Sequence, residues 1–263
     1  MGNDALYLVT SKRPPIFNMA LDEWLFDQVR HEKMPSAVLR LYTWEPPGIT
    51  IGFNQVYERA IDQTKITSPV TVVRRITGGR AIYHESSEVT FSFSTSLPSI
   101  GSVPLSLTEA NSLMSEMLKD IFSRLGINSQ WQKRAQVSRS NSALNSPACF
   151  QSVAKYELTA GGEKIAGIAQ RKIGDFIILQ GSLKLNGMSH FPAIGQQAMK
   201  PITRADSSAG YSLDELKDCF LAIFARNLHL KFRRFSPSQQ HLSEIGEKIA
   251  LLNKNPLEKR RFD

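Results

Sequence analysis

In the stretch SPACFQSVAKYELTAGGEKIAGIAQRK, Cys149 is followed fifteen residues later by Lys164. A thiolate is the nucleophilic form of cysteine, and a nearby ammonium favours it over the thiol, whose free pKa is about 8.5. Cys149 lies in a polar loop leading into a strand pattern, where functional residues concentrate. Lys164 lies in a hairpin running back from KYELTA, which can carry it within reach of the thiol. Such a pair can make and break a thioester. The plainer alternatives are a small buried hydrophobe for Cys149 and a solvated surface lysine for Lys164. Beyond Lys164, the small apolar run Ile165 to Ala169 could wall a narrow tunnel for an alkyl chain.

The second chemical stretch is VVRRITGGRAIYH, Val72 to His84. Adjacent glycines let a ligand approach the backbone closely, and successive N–H groups can form a nest for an anion or a developing oxyanion. Arg74, Arg75 and Arg80 would add planar cationic groups. The competing assignment is an ordinary hairpin turn. The stretch matches neither GxGxxG nor GxxxxGK[ST]. His84 could serve as a base, a ligand contact or a structural hydrogen-bonding group. With no companion His, Cys or carboxylate at ligand spacing, a metal site is not expected there.

These residues need strands to hold them. Ala5 to Thr10, Ala37 to Thr43, Ile49 to Phe53, Val70 to Ile76 and Glu88 to Thr95 read as strands, with a helix over Phe17 to Arg30. Capping boxes at Ser106-x-x-Glu109 and Ser212-x-x-Glu215 open two further amphipathic helices. Between them KYELTA, GGEKIAGIAQRKI and GDFIILQGSLKL read as strands joined by glycine turns, and a last helix runs from about Pro237 to Leu252. Strands grouped without regular βαβ alternation predict an α+β fold with a mixed, mostly antiparallel sheet flanked by helices. The expected organisation is a catalytic domain over residues 1–233 and a C-terminal helical segment over 234–263, packed on the same domain.

Composition narrows the class. The chain has 263 residues, 41% of them hydrophobic and 21% charged, which fits a folded globular protein. Two cysteines, Cys149 and Cys219, give neither a disulfide framework nor a CxxC metal pair. There is no secretory signal pattern and no apolar run of the ~20 residues that a membrane helix needs. A cytoplasmic location without membrane attachment is expected. The formal charge of +8 suits an acidic partner, or is a solvated basic surface. Nucleic acid is a poor fit, because no basic stripe with interleaved aromatics is present.

With these residues assembled, the chain resembles the family of lipoate-protein ligases, octanoyl transferases and biotin protein ligases. The resemblance rests on NMALDEWLF, LRLYTWEPPGITIGFNQ, VVRRITGGRAIYHESSEVTFSFS, SPACF and GGEKIAGIAQRKIGDFIILQGSL, in the family's order. It implies a class II biotin/lipoyl ligase-like catalytic domain. Lipoate ligases usually read GGGA where this chain has Gly78-Gly79-Arg80-Ala81. The GGRA pattern, Ala148-Cys149-Phe150 and Lys164 are similar to the cysteine-dependent, ligase-like octanoyl transferases. The biotin-ligase signature GRGRxGRxW is absent. One departure is LQGS, Leu179 to Ser182, where the family commonly has LQHGS.

The resemblance implies transfer of an octanoyl group from octanoyl-acyl carrier protein to a lysine of a lipoyl domain of a 2-oxoacid dehydrogenase, or of glycine-cleavage H protein. Cys149 would carry the acyl group and Lys164 would assist it. Arg74, Arg75, Gly78, Gly79, Arg80, Ala81, His84, Gly167 and Ala169 would bind substrate. No cofactor is implied; ATP and Mg belong only to the alternative, an ATP-dependent lipoate ligase. A second alternative is an amidotransferase moving octanoyl between lipoyl-domain proteins.

Overall fold

The computed structural model describes residues 3–99, 106–132, 157–160, 163–196, 198, 200–202 and 210–259. The chain opens with β1 (Asn3–Arg13), α1 (Pro15–Arg30) and β2 (Ala37–Trp44), then β3 (Gly48–Ile51) and a single-turn helix α2 (Tyr57–Ala60). Next come β4 (Thr71–Arg74), β5 (Ile82–His84), β6 (Val89–Ser96), α3 (Leu107–Arg124) and β7 (Gln130–Gln132). The rest is β8 (Glu157–Ala160), β9 (Glu163–Ile173), β10 (Phe176–Leu183), α4 (Leu213–Leu228), β11 (Leu230–Arg234) and α5 (Gln239–Lys254).

Eight strands form one sheet in the order β11-β1-β2-β6-β10-β9-β8-β7. The pairs β11·β1 and β1·β2 are parallel, and every pair from β2·β6 to β8·β7 is antiparallel. This is the α+β class with a mixed, mostly antiparallel sheet. Alternation along the strands divides the sheet into two unlike faces. Leu39, Leu41, Phe91, Phe93, Ile177 and Leu179 turn to one face and pack with α3 and α4, where Phe91 meets Phe220 and Phe93 meets Phe224 at 5.0 Å. Arg40, Tyr42, Thr90, Ser92 and Gln180 alternate with them toward α1. The polar face is covered, so its residues are as buried as those of the apolar one.

Helix α1 is buried over most of its circumference because α5 covers its outer side. Trp24 Nε1 donates to Glu244 at 2.9 Å, Lys248 pairs with Asp27 at 2.7 Å, and Leu252 is buried beside Met19 and Ala20. Capping boxes at Ser106 and Ser212 start α3 and α4 where their sequence patterns place them, and a third at Ser238 starts α5.

A smaller sheet, β4-β3-β5, carries the glycine loop. Strands β4 and β5 lie on opposite sides of β3, parallel and antiparallel to it. The Gly78-Gly79 segment is therefore not a hairpin turn: it crosses over β3 from one edge of the sheet to the other. Among the described residues no helix is long and apolar enough to cross a membrane.

Candidate active site

Lys164 is brought to the site by an irregularity in β9. Thr159 of β8 faces Lys164 while Leu158 faces Ala166, so one extra residue is inserted at Ile165. A bulge of this kind breaks the simple alternation and re-aims a side chain. Ile165 and Ala166 both sit in the core with α3 and α4, whereas Lys164 lies on the side of Gly167. A Cβ added to Gly167 would lie 3.8 Å from Lys164 Cε and 4.0 Å from Nζ. The lysine stem thus runs in van der Waals range of the space above Gly167, where a side chain larger than a methyl would meet it.

Across from this surface stands the glycine loop. Gly79 has φ +85°, a left-handed conformation natural for glycine, and a Cβ built on it would be 3.6 Å from Ala169 Cβ. Gly52 is in still closer contact, since a Cβ there would fall 1.9 Å from Gly79 O. Arg75 holds the loop from within. Its guanidinium donates to Gly78 O at 2.7 and 3.1 Å, to Arg80 O at 2.7 Å, and to Thr50 O and Oγ1 at 3.2 and 3.0 Å. Arg74 turns outward, donating to the carbonyls of Gly52, Phe53, Gln55 and Leu257 at 2.7–3.0 Å. The Gly78 amide donates to Gln170 O at 3.4 Å.

Between these surfaces lies a cavity of about 280 Å³. Of the residues predicted for the site, Arg75, Gly79, Arg80, His84, Lys164, Gly167 and Ala169 line it. Arg74 and Gly78 flank the same loop without lining the cavity, and Ala81 packs in the core of the small sheet. Cys149 lies outside the described residues.

Two buried polar networks that sequence reasoning missed fix the cavity walls. In the first, the ionised Glu88 can only accept, which fixes the His84 proton on Nδ1, and the bare Nε2 accepts from the Thr50 hydroxyl at 2.8 Å, which itself accepts from Arg75. Nδ1 donates to Glu88 at 2.8 Å. Thr90 accepts from Trp44 Nε1 at 2.8 Å and donates to the same carboxylate at 2.7 Å. Lys184 pairs with its other oxygen. Burial pushes the His84 pKa below its ordinary 6.5, only partly offset by Glu88. Burial also opposes ionisation of Glu88, but the attraction of His84 once acid protonates it, the Lys184 charge and the hydrogen bonds of both outweigh it and hold this carboxyl well below the usual carboxylate range. His84 is a neutral ring, stacked on Trp44 at 3.9 Å, and its two nitrogens are both engaged.

In the second network Asp22 Oδ1 accepts from Arg40 at 2.6 Å and Ser92 at 2.7 Å, while Oδ2 accepts from Tyr42 at 2.8 Å and Gln180 at 2.6 Å. Burial first, then the Asp22 charge, keeps the Tyr42 phenol protonated. Gln180 in turn accepts from Thr77 at 2.6 Å. The network therefore ties α1 and three strands to the loop just ahead of Gly78. Its sequence signal was the polar half of the alternation in LRLYTW and VTFSFST, which reads equally well as a solvent face.

A cavity with Lys164 at its wall, next to a glycine loop, suits an elongated group whose reacting end meets the amine. A lipoyl protein ligase A/B catalytic-domain model matches residues 14–220. The chain belongs to that family. It is 31% identical over 261 residues to the octanoyltransferase LipM of Lysinibacillus sphaericus, covering 91% of this chain and 92% of that one. The octanoyltransferase LipM of Brevibacillus brevis is 32% identical over 262 residues, covering 92% and 94%. Such similarity along the whole length makes this member of the lipoyl protein ligase A/B family an enzyme, and an acyltransferase.

Solved structures agree on the fold. Lipoate-protein ligase A bound with ATP superposes with a TM-score of 0.67 at 20% identity, covering 95% of each chain. The bi-partite lipoate protein ligase of Thermoplasma acidophilum gives 0.66 at 18% identity, covering 95% of this chain and 92% of that one. The architecture is thus that of the class II biotin/lipoyl ligase-like catalytic domains.

Proposed function

We propose that this enzyme moves an octanoyl group from octanoyl-acyl carrier protein to a lysine of a lipoyl domain or glycine-cleavage H protein, through an acyl group held on Cys149. The observation that carries the proposal is the position of Lys164 over Gly167 at the wall of a cavity, in a chain that octanoyltransferases match over about nine-tenths of its length. In the first step the Cys149 thiolate adds to the donor carbonyl, and the carrier's thiolate leaves. In the second the acceptor amine displaces Cys149, giving an amide. Dividing the transfer in this way replaces one difficult step with two easier ones.

As an ammonium Lys164 keeps Cys149 ionised, gives its proton to the departing carrier thiolate, and as the free amine then takes the proton of the incoming acceptor amine. The alkyl chain lies along Gly79, Gly167 and Ala169, between walls that Arg75, Arg80 and His84 hold in place; Arg74, Gly78 and Ala81 support this pocket through the loop. The transfer of a thioester to an amide runs downhill and calls for neither ATP nor a metal. The +8 charge suits acidic carrier and acceptor domains by steering their approach.

Intact-mass measurement after incubation with octanoyl-acyl carrier protein, without ATP, tests the reading. The wild type should gain one octanoyl group, lose it to an added lipoyl domain, and show no gain as Cys149→Ala. Lipoylation of the acceptor that needs ATP and free acid, and survives Cys149→Ala, would instead make the enzyme a ligase.

A further inference from the structure

Ser182 stands on the polar face of β10, where its neighbours are committed to partners. Thr90, paired with it across β6, bonds Trp44 and Glu88; Gln180, two residues back, bonds Asp22 and Thr77. Ser182 is 6% exposed, and its Oγ is buried with no hydrogen-bond partner among the described residues. A buried hydroxyl without a partner is uncommon and calls for an explanation. Ser182 also lines the cavity.

Strand register places it beside the lysine. On its other side Ser182 pairs with Gly167 of β9, the residue over which Lys164 passes. Residues directly opposite in an antiparallel pair hold their Cβ atoms about 4.5–5.5 Å apart, on one face. The hydroxyl and the ammonium therefore share the space above a single cross-strand pair. Gly167 contributes no side chain of its own there. Rotation about one side-chain bond, between staggered positions, turns Oγ toward that space.

We propose that Ser182 is a catalytic residue of the acyl transfer, donating a hydrogen bond from Oγ to the acyl carbonyl oxygen. The assignment rests on the octanoyl transfer proposed above. As the thiolate adds, the new C–S bond forms and the carbonyl π pair moves onto oxygen. The Ser182 hydroxyl meets that growing charge without giving up its proton. Collapse restores the C=O bond and expels the donor's thiolate. The acceptor amine passes through the same oxyanion, so one hydroxyl serves both steps. A donor aimed at charge that develops in the transition state acts on kcat more than on KM.

The test compares Ser182→Ala and Ser182→Thr with wild type in octanoyl transfer to a lipoyl domain. Ser182→Ala should lower kcat by roughly 10²–10³-fold with little change in KM and no loss of thermal stability, as removal of one oxyanion donor does. Ser182→Thr, which keeps the hydroxyl, should recover most of the rate. Infrared difference spectra of the enzyme acylated with ¹³C-carbonyl octanoate should show the carbonyl band at higher frequency in Ser182→Ala. A wild-type kcat and an unmoved band in Ser182→Ala overturn the assignment while leaving octanoyl transfer intact. A wild type that transfers no octanoyl group from the carrier overturns both.

Discussion

Lys164 passes over Gly167, with its Cε 3.8 Å and its Nζ 4.0 Å from the point a Cβ on that glycine would occupy. Gly167 does not have a left-handed φ, so its requirement is for space. A single methyl at that distance makes ordinary contact with the lysine stem. Gly167→Ala should fold with near wild-type stability and keep most of its activity. Gly167→Val puts two more methyl groups into the lysine's path and should displace the ammonium. Small displacements of a reacting group can cost about 10²-fold in rate, so kcat/KM for octanoyl transfer should fall between roughly 10- and 100-fold. Parallel melting curves and steady-state rates decide the matter: an active, stable Gly167→Val would detach the lysine's route from the chemistry.

His84 and Glu88 share a hydrogen bond of 2.8 Å and give the protein two acid-sensitive windows. The folded-state pKa of His84 lies below its ordinary 6.5, so between the two values the unfolded chain binds more protons. Stability therefore falls as the pH drops below about 6.5. Glu88 is likewise held below its ordinary 4.5, and the stability it contributes above that pH is lost on further acidification. Urea unfolding from pH 8 to pH 4 should show the first decline in wild type and a flatter profile between pH 6.5 and 5 in His84→Gln. An equal slope in the variant would mean that another group carries this dependence.

Much of this architecture can be read in the sequence because local rules agree there. The boxes at Ser106 and Ser212 begin α3 and α4, and the alternation in Val89–Ser96 gives a strand with one apolar face. What alternation cannot convey is whether the polar face meets water. Thr90, Ser92 and Arg40 are buried because α1 lies across them and α5 lies across α1, a packing set by residues far apart in the chain. The position of Lys164 was hidden for a related reason. Strict alternation puts Lys164 and Gly167 on opposite faces, and only the extra residue at Ile165 reunites them. The crossover at Gly78-Gly79 was likewise open, since a glycine pair fits a hairpin as well as a strap between two edges of a three-stranded sheet.

Arg74 links the end of the described chain to the glycine loop. Its backbone N–H donates to Pro256 O and its Nε to Leu257 O, both at 2.7 Å, while Leu257 packs against the core of the small sheet. The same guanidinium grips the turn from Gly52 to Gln55, and Gly52 abuts Gly79. Truncation after Asn255 removes both of these hydrogen bonds from Arg74, each contributing about 1 kcal/mol, together with the contact of one partly buried leucine and the local bond from Glu258 N to Asn255 O. At about 2–4 °C per kcal/mol for a chain of this size, Tm should fall by roughly 10 °C with the fold retained. The loosened turn should also raise KM for the octanoyl donor several-fold, because the glycine loop loses a support on its outer side. Restoring residues 256–259 should recover both properties. If Tm falls while KM and kcat stay at wild-type values, the segment after α5 stabilises the small sheet without shaping the cavity.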